Sequence, residues 1–388
     1  MEKELGILRA LEPPSQIKNI KITGYRGHRL PQWMMKQNDS SYCEAIMLKQ
    51  TGPCQFLSLT ELILRNCPNM KQMRGLWVLP SLKSLFLLKM ANLEELWTVT
   101  SDSGNSEEEI CGQCCFPALS DIYIFDCPRL NVKPHFPPSL EKLDLSRSNM
   151  QLLSAGSFPR MFAPPVDTSS SSYSMNSAVP HLRKLTLAKI KGSSPGLEFL
   201  RNHTKLETLH IEYCKEMTEL PESIRSLTLL QNLSIERCST LGLLPDWLGE
   251  LRSLRSLSVM WTPMMQTLPQ STKHLRSLVT LQIWYWDNNL KQLPDVIQHL
   301  TSLEVLNLTG FAALTELPEW IGQLTALRDL CIQSGPALEC LPQSIQRLTA
   351  LQNLYINGCP GLKTRYKRGM GPDWHLVSHI PRVFGDGV

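Results

Sequence analysis

The sequence predicts an α/β repeat fold: a horseshoe-shaped solenoid with a parallel β-sheet on the concave face and short helical or irregular segments on the convex face. Two observations predict it. A proline-led stretch, L-P-x-x-I-x-x-L-T-x-L, alternates with the pattern L-x-x-L-x-L/I. In the second half, the leucines that start this pattern follow at intervals of 24 or 25 residues: Leu182, Leu206, Leu230, Leu254, Leu278, Leu303, Leu327 and Leu351. This interval and pattern are those of a leucine-rich repeat solenoid.

Each L-x-x-L-x-L/I stretch is predicted to form a short strand. In the stretch from Leu230, the apolar residues Leu233 and Ile235 alternate with polar ones, so their side chains share one face of the strand. A single repeat cannot bury that face. Neighbouring repeats bury it together when their strands pair in parallel about 4.8 Å apart.

The proline-led stretches are predicted to return the chain along the other side of the sheet. Six prolines suit the start of short helical turns because proline already has a helical φ and needs no hydrogen-bond acceptor there: Pro221, Pro245, Pro269, Pro294, Pro318 and Pro342. Ile224, Leu227 and their equivalents are predicted to point inward. Trp247 and Trp320 occupy matching places in LPDWLGEL and LPEWIGQL, and we interpret them as packing residues.

The same template, with less regular spacing, extends through the first half. Its predicted strands carry Ile17/Ile20/Ile22, Leu59/Leu62/Leu64, Leu82/Leu85/Leu87, Leu119/Ile122/Ile124, Leu140/Leu143/Leu145 and Leu182/Leu185/Leu187. We therefore expect one solenoid over 1–388: irregular repeats in 1–150 with a polar loop at 95–115, a Ser/Pro-rich loop at 151–180, regular 24-residue repeats in 181–362 and a cap at 363–388. Residues 23–58 are expected to contain a further repeat of unassigned phase.

Composition favours a globular protein of the cytoplasm. The 388 residues are 42% hydrophobic and 19% charged, and a net charge of +4 is too small to indicate a nucleic-acid partner. No apolar run reaches the roughly 18 residues of a membrane span, and the N-terminal residues do not resemble a secretion signal. Four Asn-x-Ser/Thr sequons leave a secreted alternative open: Asn38, Asn202, Asn232 and Asn307.

Five of the 12 cysteines recur at one position, three residues after a strand: Cys67, Cys127, Cys214, Cys238 and Cys359. A side chain that recurs at one repeat position indicates a structural role, and in this repeat class a cysteine there turns inward. We therefore predict small, buried, reduced thiols.

Motifs for catalysis are missing from the sequence. It has no G-x-x-x-x-G-K-S/T, no G-x-G-x-x-G and no H-E-x-x-H, so we predict neither an enzyme nor a cofactor. Cys111, Cys114 and Cys115 form a CxxCC cluster that lacks a fourth zinc ligand nearby, which favours an exposed thiol cluster over a metal site. His375 and His379 have the spacing of a helical zinc pair but no third ligand, so we assign them to the cap.

The candidate partner-binding site lies in the regular repeats. Aromatic and long side chains cluster at outward positions of neighbouring strands, and such clusters are the commonest anchors of protein interfaces. The predicted site comprises Tyr213, Arg237, Met260, Trp261, Gln282, Trp284 and Tyr285. The alternative is local packing against a neighbouring loop such as 154–178.

Several stretches together resemble the C-terminal repeat region of plant nucleotide-binding, leucine-rich repeat disease resistance proteins, most closely the coiled-coil subclass of grasses. They are GYRGHRLPQWM at 24–34, LETLHIEYCKEMTELP, LQNLYINGCPGLKTRY and GPDWHLVSHIPRV. The resemblance implies an intracellular immune receptor whose repeats sense a pathogen effector or a guarded host protein and restrain a nucleotide-binding switch. Coiled-coil and nucleotide-binding domains would then be partners. The alternatives are a stand-alone signalling scaffold and an extracellular repeat receptor.

Overall fold

The computed structural model describes residues 13–28, 30, 56–73, 79–96, 116–131, 136–148, 152, 181–190, 194–265, 267–285 and 290–385. The chain forms two compact units, Met1–Ile190 and Lys191–Val388. Most of the predicted loops 95–115 and 151–180 lies outside the described residues, as do the CxxCC cluster and most of 23–58.

In the first unit, six parallel strands pair in chain order: β1 Asn19–Thr23, β2 Glu61–Arg65, β3 Ser84–Leu88, β4 Asp121–Phe125, β5 Lys142–Ser146 and β6 Lys184–Ala188. Each coincides with a predicted L-x-x-L-x-L/I stretch. The inward residues stand in register, so that Leu62 lies beside Leu85 and Leu85 beside Ile122. All three side chains are fully buried.

The second unit contains the regular repeats. Its strands are β7 Thr208–Glu212, β8 Asn232–Glu236, β9 Ser256–Met260, β10 Thr280–Trp284, β11 Val305–Thr309, β12 Asp329–Gln333, β13 Asn353–Asn357 and β14 Arg382–Gly385. They too pair in parallel and in chain order. Its helices are Ser194–Asn202, Glu222–Ser226, Asp246–Glu250, Gln270–His274, Asp295–His299, Glu319–Gln323, Gln343–Arg347, Pro360–Arg365 and Trp374–Val377.

The proline-led stretches form short 3₁₀ helices, as the prolines predict. Each of the six prolines directly precedes a five-residue helix and accepts its first hydrogen bond, as in the 3.1 Å bond from Ile224 N–H to the Pro221 carbonyl. Ile224 and Leu227 are buried. Trp320 is half-buried, and its indole N–H donates to the Asp295 carboxylate of the preceding repeat at 3.1 Å. It therefore packs between repeats at the surface and lies outside the leucine core.

A left-handed residue follows each strand from β1 to β13. Its N–H extends the hydrogen bonding of the sheet by donating to the carbonyl of the last residue of the neighbouring strand. Asn66 donates to Leu88 and Arg237 donates to Met260, both at 2.8 Å. Most of these residues are not glycine, although a left-handed conformation costs such residues about 1–2 kcal/mol. The added hydrogen bond offsets part of that cost. The sequence pattern did not reveal this position, which determines the geometry of the candidate site.

The five recurring cysteines are buried, which confirms their predicted structural role. Each thiol donates to the carbonyl two residues earlier, at 3.4–3.5 Å. A small thiol therefore satisfies a strand-exit carbonyl while filling the core. Burial raises the pKa of Cys127 to about 12, which keeps this thiol protonated and unreactive at neutral pH.

The buried thiol of Cys127 gives a prediction for alkaline pH. Because its pKa is about 12 in the folded chain against 9.0 for an ordinary thiol, its contribution to stability is complete below pH 9 and is lost as the pH rises from 9 towards 12. Between pH 8 and 10.5 the free energy of unfolding should fall by about 2 kcal/mol less in Cys127→Ala than in the wild type. Denaturant titrations under reducing conditions measure this difference, and equal losses would contradict it.

The C-terminal residues add one strand that the sequence pattern did not predict. After the helices Pro360–Arg365 and Trp374–Val377, β14 pairs in parallel with β13. The buried Tyr366 hydroxyl accepts a 2.8 Å hydrogen bond from Leu341 N–H, which ties this segment to the last repeat. His375 lies in the second of these helices, and its Nδ1–H donates a 3.2 Å hydrogen bond to the Pro372 carbonyl. Within the described ranges, no helix has the length and apolar character needed to cross a membrane.

Candidate functional site

The seven predicted site residues lie in the second unit, on β7 to β10 and the turns that follow them. Met260 and Trp284 end β9 and β10 and are partners in the strand register. Gln282 occupies an outward position of β10, where its side-chain oxygen accepts a 3.4 Å bond from Ser258. Tyr213 and Arg237 follow β7 and β8 directly. Six of the predicted residues therefore form two adjacent columns on neighbouring strands, and Gln282 lies in a third column.

Four of them form a continuous stack, which we call the ladder: Tyr213, Arg237, Trp261 and Tyr285. The Arg237 guanidinium lies between two rings, 5.0 Å from the centroid of Tyr213 and 5.6 Å from that of Trp261. The Trp261 ring stacks on Tyr285 with centroids 3.9 Å apart and planes inclined by 15°. A guanidinium between two aromatic faces is attracted to the negative face of each ring.

The ladder forms because all four residues occupy the left-handed position after a strand. Their φ values lie between 50° and 56°, and their N–H groups donate to the next strand at 2.7–2.8 Å. Successive strands are about 4.8 Å apart, so flat side chains at this one position lie at stacking distance. Sequence reasoning placed these residues on the strands themselves. They lie one residue beyond the strand ends instead.

Gly310 takes the next place in the same column and bounds the ladder. A Cβ atom on this glycine would lie 2.3 Å from Cδ1 of Tyr285, and its φ is +79°. The Tyr285 ring therefore rests directly on the Gly310 backbone. Gly310 is a residue of the site that sequence reasoning missed, because the pattern gives no sign of which strand-exit glycine contacts a ring.

Charge around the ladder is mixed. The Arg237 guanidinium pairs with Glu236 at 2.5 Å, and Glu212 stands beside Glu236 in the strand register. Arg237 is thus held by a carboxylate and by two ring faces, which fixes its orientation before any partner arrives. A partner that meets such a prearranged side chain loses less conformational entropy on binding.

Solvent reaches the ladder at Trp261, which is 40% exposed, and at the neighbouring Met264, which is 63% exposed. The ring faces within the stack are covered by their neighbours, so the ladder presents ring edges and the side of the Arg237 guanidinium. The alternative covering loop, 154–178, lies outside the described residues. Such an arrangement suits contact with a protein surface, since aromatic and arginine side chains supply most of the binding energy at interfaces.

The described residues contain no group of three or more His, Cys, Asp or Glu side chains that could hold a metal ion. His203 is buried and packs against Phe199 edge-to-face at 5.5 Å. The arrangement at the ladder consists of stacked rings, an ion pair and apolar side chains.

The stack gives a prediction about coupling. Trp261→Ala and Tyr285→Ala should each lower the free energy of unfolding, and the loss in the double variant should be smaller than the sum of the two by about 1 kcal/mol, because either change removes the same ring contact. Denaturant titrations of the four proteins measure this coupling. The pair Trp261→Ala and Tyr355→Ala serves as a control, since Tyr355 stacks on Phe384 instead. Coupling no larger than in that pair would contradict the stack.

Comparison with known proteins supports the repeat assignment. A family model of R13L1/DRL21 leucine-rich repeats matches residues 1–90. Among solved structures, TLR13 in complex with ssRNA13 is similar over 96% of this chain and 53% of its own, with 18% identity and a TM-score of 0.53. The leucine-rich repeat domain of the type III effector XopL shares 25% identity over 67% of this chain and 74% of its own, with a TM-score of 0.43.

A leucine-rich repeat protein of Leptospira interrogans is similar over 97% of both chains, with 19% identity and a TM-score of 0.38. The described strands, their parallel pairing and the family match over residues 1–90 agree on the leucine-rich repeat fold.

Proposed function

We propose that this chain is the protein-recognition module of an intracellular plant immune receptor of the cytoplasm. In this proposal it senses a pathogen effector or a guarded host protein and restrains a nucleotide-binding switch. The match of residues 1–90 to R13L1/DRL21 repeats supports the link to resistance-like proteins. The stretches that resemble grass disease resistance proteins support the role in defence.

The observation that carries the proposal is the ladder with its exposed end at Trp261. Three rings and one arginine stack in one column of the second unit. The exposed side chains of Trp261 and Met264 at this stack cost free energy in water. Burial of these side chains by a protein partner would recover that cost. The proposed contact residues are Tyr213, Arg237, Met260, Trp261, Gln282, Trp284 and Tyr285.

Co-purification from plant tissue with tagged wild type and variants tests the proposal. Trp261→Ala, which removes the most exposed ring of the ladder, should reduce recovery of the specific partner at least tenfold, as expected for a central aromatic anchor. Trp247→Ala, a change of the same kind on the helix Asp246–Glu250, should leave recovery unchanged. Equal recovery by Trp261→Ala and the wild type would remove the ladder from the interface.

A second candidate function is a stand-alone intracellular scaffold in signalling, which the same repeats would serve. The upstream coding sequence distinguishes the two. An in-frame segment with a phosphate loop supports the receptor, whereas a transcript whose translation starts at Met1 supports the scaffold.

A further inference from the structure

Three arginines lie close together in the second unit, where the short helices lead into the strands. Arg252 and Arg255 lie between the helix Asp246–Glu250 and β9, and Arg276 lies between the helix Gln270–His274 and β10. We call these three residues the arginine triad. Sequence reasoning did not single them out, because they occupy turns outside the apolar pattern that defines the repeat.

The backbone of the repeats brings the triad together. Arg252 and Arg276 are equivalent residues of consecutive repeats, and each N–H donates to the carbonyl two residues earlier, at 2.8 and 2.9 Å. The N–H of Arg255 donates to Gln231, and its carbonyl accepts from Val279, both at 2.8 Å. Because neighbouring repeats are about 4.8 Å apart, three guanidinium groups on long side chains can reach one anion.

The charges of the triad are not neutralised by the chain itself. All three arginines are exposed, and none of them forms an ion pair in the part of the chain that the structure describes. Lys273 and His274, at the end of the helix before Arg276, are exposed as well. Positive charges held this close together repel one another, which costs free energy until an anion binds.

The carboxylates on either side of the triad are paired with other arginines. In the preceding repeats, Arg225 lies 2.7 Å from Glu250 and 3.4 Å from Glu222. In the following repeats, Arg328 lies 3.3 Å from Glu304. These ion pairs limit the positive surface to the few repeats between them, which is the size of a site for one anionic group and its neighbours.

Apolar and hydroxyl groups accompany the triad. Leu229 is 51% exposed and lies one repeat before Ser253, the residue that follows Arg252. Val279 is half-buried beside Arg255, and Ser277 is exposed. A peptide segment can therefore place apolar side chains on Leu229 and Val279 while its charged group meets the arginines.

From this arrangement we propose that the arginine triad binds a phosphorylated serine or threonine of a partner protein. A phosphomonoester carries about two negative charges and three acceptor oxygens on one side chain. Three guanidinium groups, each able to donate two parallel hydrogen bonds, match it, whereas a single carboxylate is satisfied by one arginine. This site is separate from the ladder and goes beyond the recognition role proposed for it. Neither proposal depends on the other.

Two observations favour a phosphorylated protein over a nucleic acid. Glu207 and Glu304 lie two repeats before and after Arg255 in the same row, so a continuous phosphate backbone along this row would meet a carboxylate at each end. Leu229 and Val279 beside the triad offer no ring on which a base could stack. A phosphorylated side chain needs only the positive surface between the two glutamates.

Binding of three synthetic peptide pools to the full chain tests the proposal. The heptapeptides of the first pool have a central phosphoserine and mixed flanking residues, and the other two pools have serine or glutamate at the centre. Fluorescence polarisation should show the phosphoserine pool binding at least tenfold more tightly than either of the others. A glutamate or serine pool that binds as tightly, or no measurable binding of the phosphoserine pool at millimolar concentration, would overturn the proposal.

Neutral substitutions test the location. The variant with Arg252→Gln, Arg255→Gln and Arg276→Gln should bind the phosphoserine pool no more tightly than the serine pool. The matched control carries the same change at three exposed arginines of the first unit: Arg65→Gln, Arg129→Gln and Arg147→Gln. This control should bind like the wild type. If it lost as much binding as the triad variant, attraction to net charge would explain the result and the proposal would fail.

Two further probes separate the classes of partner. A single-stranded oligouridylate and vesicles containing phosphatidylserine should each fail to compete with the phosphoserine pool. If either one bound more tightly than the pool and lost its binding in the triad variant, the surface would be a nucleic-acid or membrane site and the proposal would fail. Trp261→Ala should leave binding of the phosphoserine pool unchanged, so this test is independent of the ladder. Circular dichroism and thermal unfolding confirm that each variant is folded.

Discussion

Replacing Leu281 by alanine is expected to lower the free energy of unfolding of the second unit by about 3 kcal/mol. Leu281 lies on β10, is fully buried and pairs in register with Leu257 and Leu306 of the neighbouring strands. Removing its side chain loses the transfer free energy of three carbon atoms and leaves a cavity lined by leucines of three repeats. Because the repeats share one core, the loss should spread to the neighbouring strands.

Gln282→Ala is the matched control for this change. Gln282 is the next residue of β10, but its side chain points outward and is half-exposed. Its replacement should cost less than about 0.5 kcal/mol. Denaturant titration gives both values, and hydrogen exchange should show faster exchange on β9 and β11 only for Leu281→Ala. Comparable losses for the two variants would contradict the assignment of inward and outward faces.

Gly310→Ala is expected to cost about 2–3 kcal/mol and to disrupt the ladder. Its φ of +79° costs a residue with a Cβ atom about 1–2 kcal/mol. The new Cβ, 2.3 Å from Cδ1 of Tyr285, would also force that ring away from its place beside Trp261. The loss of an aromatic pair adds about 1 kcal/mol.

Gly24→Ala separates these two contributions. Gly24 follows β1 at the equivalent position with a φ of +72°, but an added Cβ would meet no atom within 4 Å. It should therefore show the backbone cost without the displaced ring. Denaturant titrations compare the two losses, and tryptophan fluorescence should change only in Gly310→Ala. Equal losses and unchanged fluorescence in both variants would show that Tyr285 does not rest on Gly310.

Much of the fold could be predicted because its determinants are periodic. Leucines at fixed spacing identify inward positions, and prolines identify the starts of the return helices. β14 escaped prediction because the segment RVFG carries one inward apolar residue and no L-x-x-L-x-L pattern. Parallel pairing with β13 stabilises this strand, and such long-range pairing leaves no local signal.

The candidate site could be predicted only in part. Residue type and repeat spacing predicted that the seven site residues lie close together, on neighbouring strands. The order of the ladder depends on the left-handed residue after each strand, which no pattern of apolar residues records. The sandwich around Arg237 and the contact between Tyr285 and Gly310 depend on that geometry.

The central claim, made as a proposal, is that this repeat protein binds its partner at the ladder, on the solvent-facing side of the sheet. Site-specific photocrosslinking in plant tissue tests it most directly, with benzoylphenylalanine placed either at Trp261 or at Trp247 on the helix Asp246–Glu250. Position 261 should yield one prominent covalent adduct with a partner protein, and position 247 should not. An adduct at 247 with none at 261 would contradict the claim.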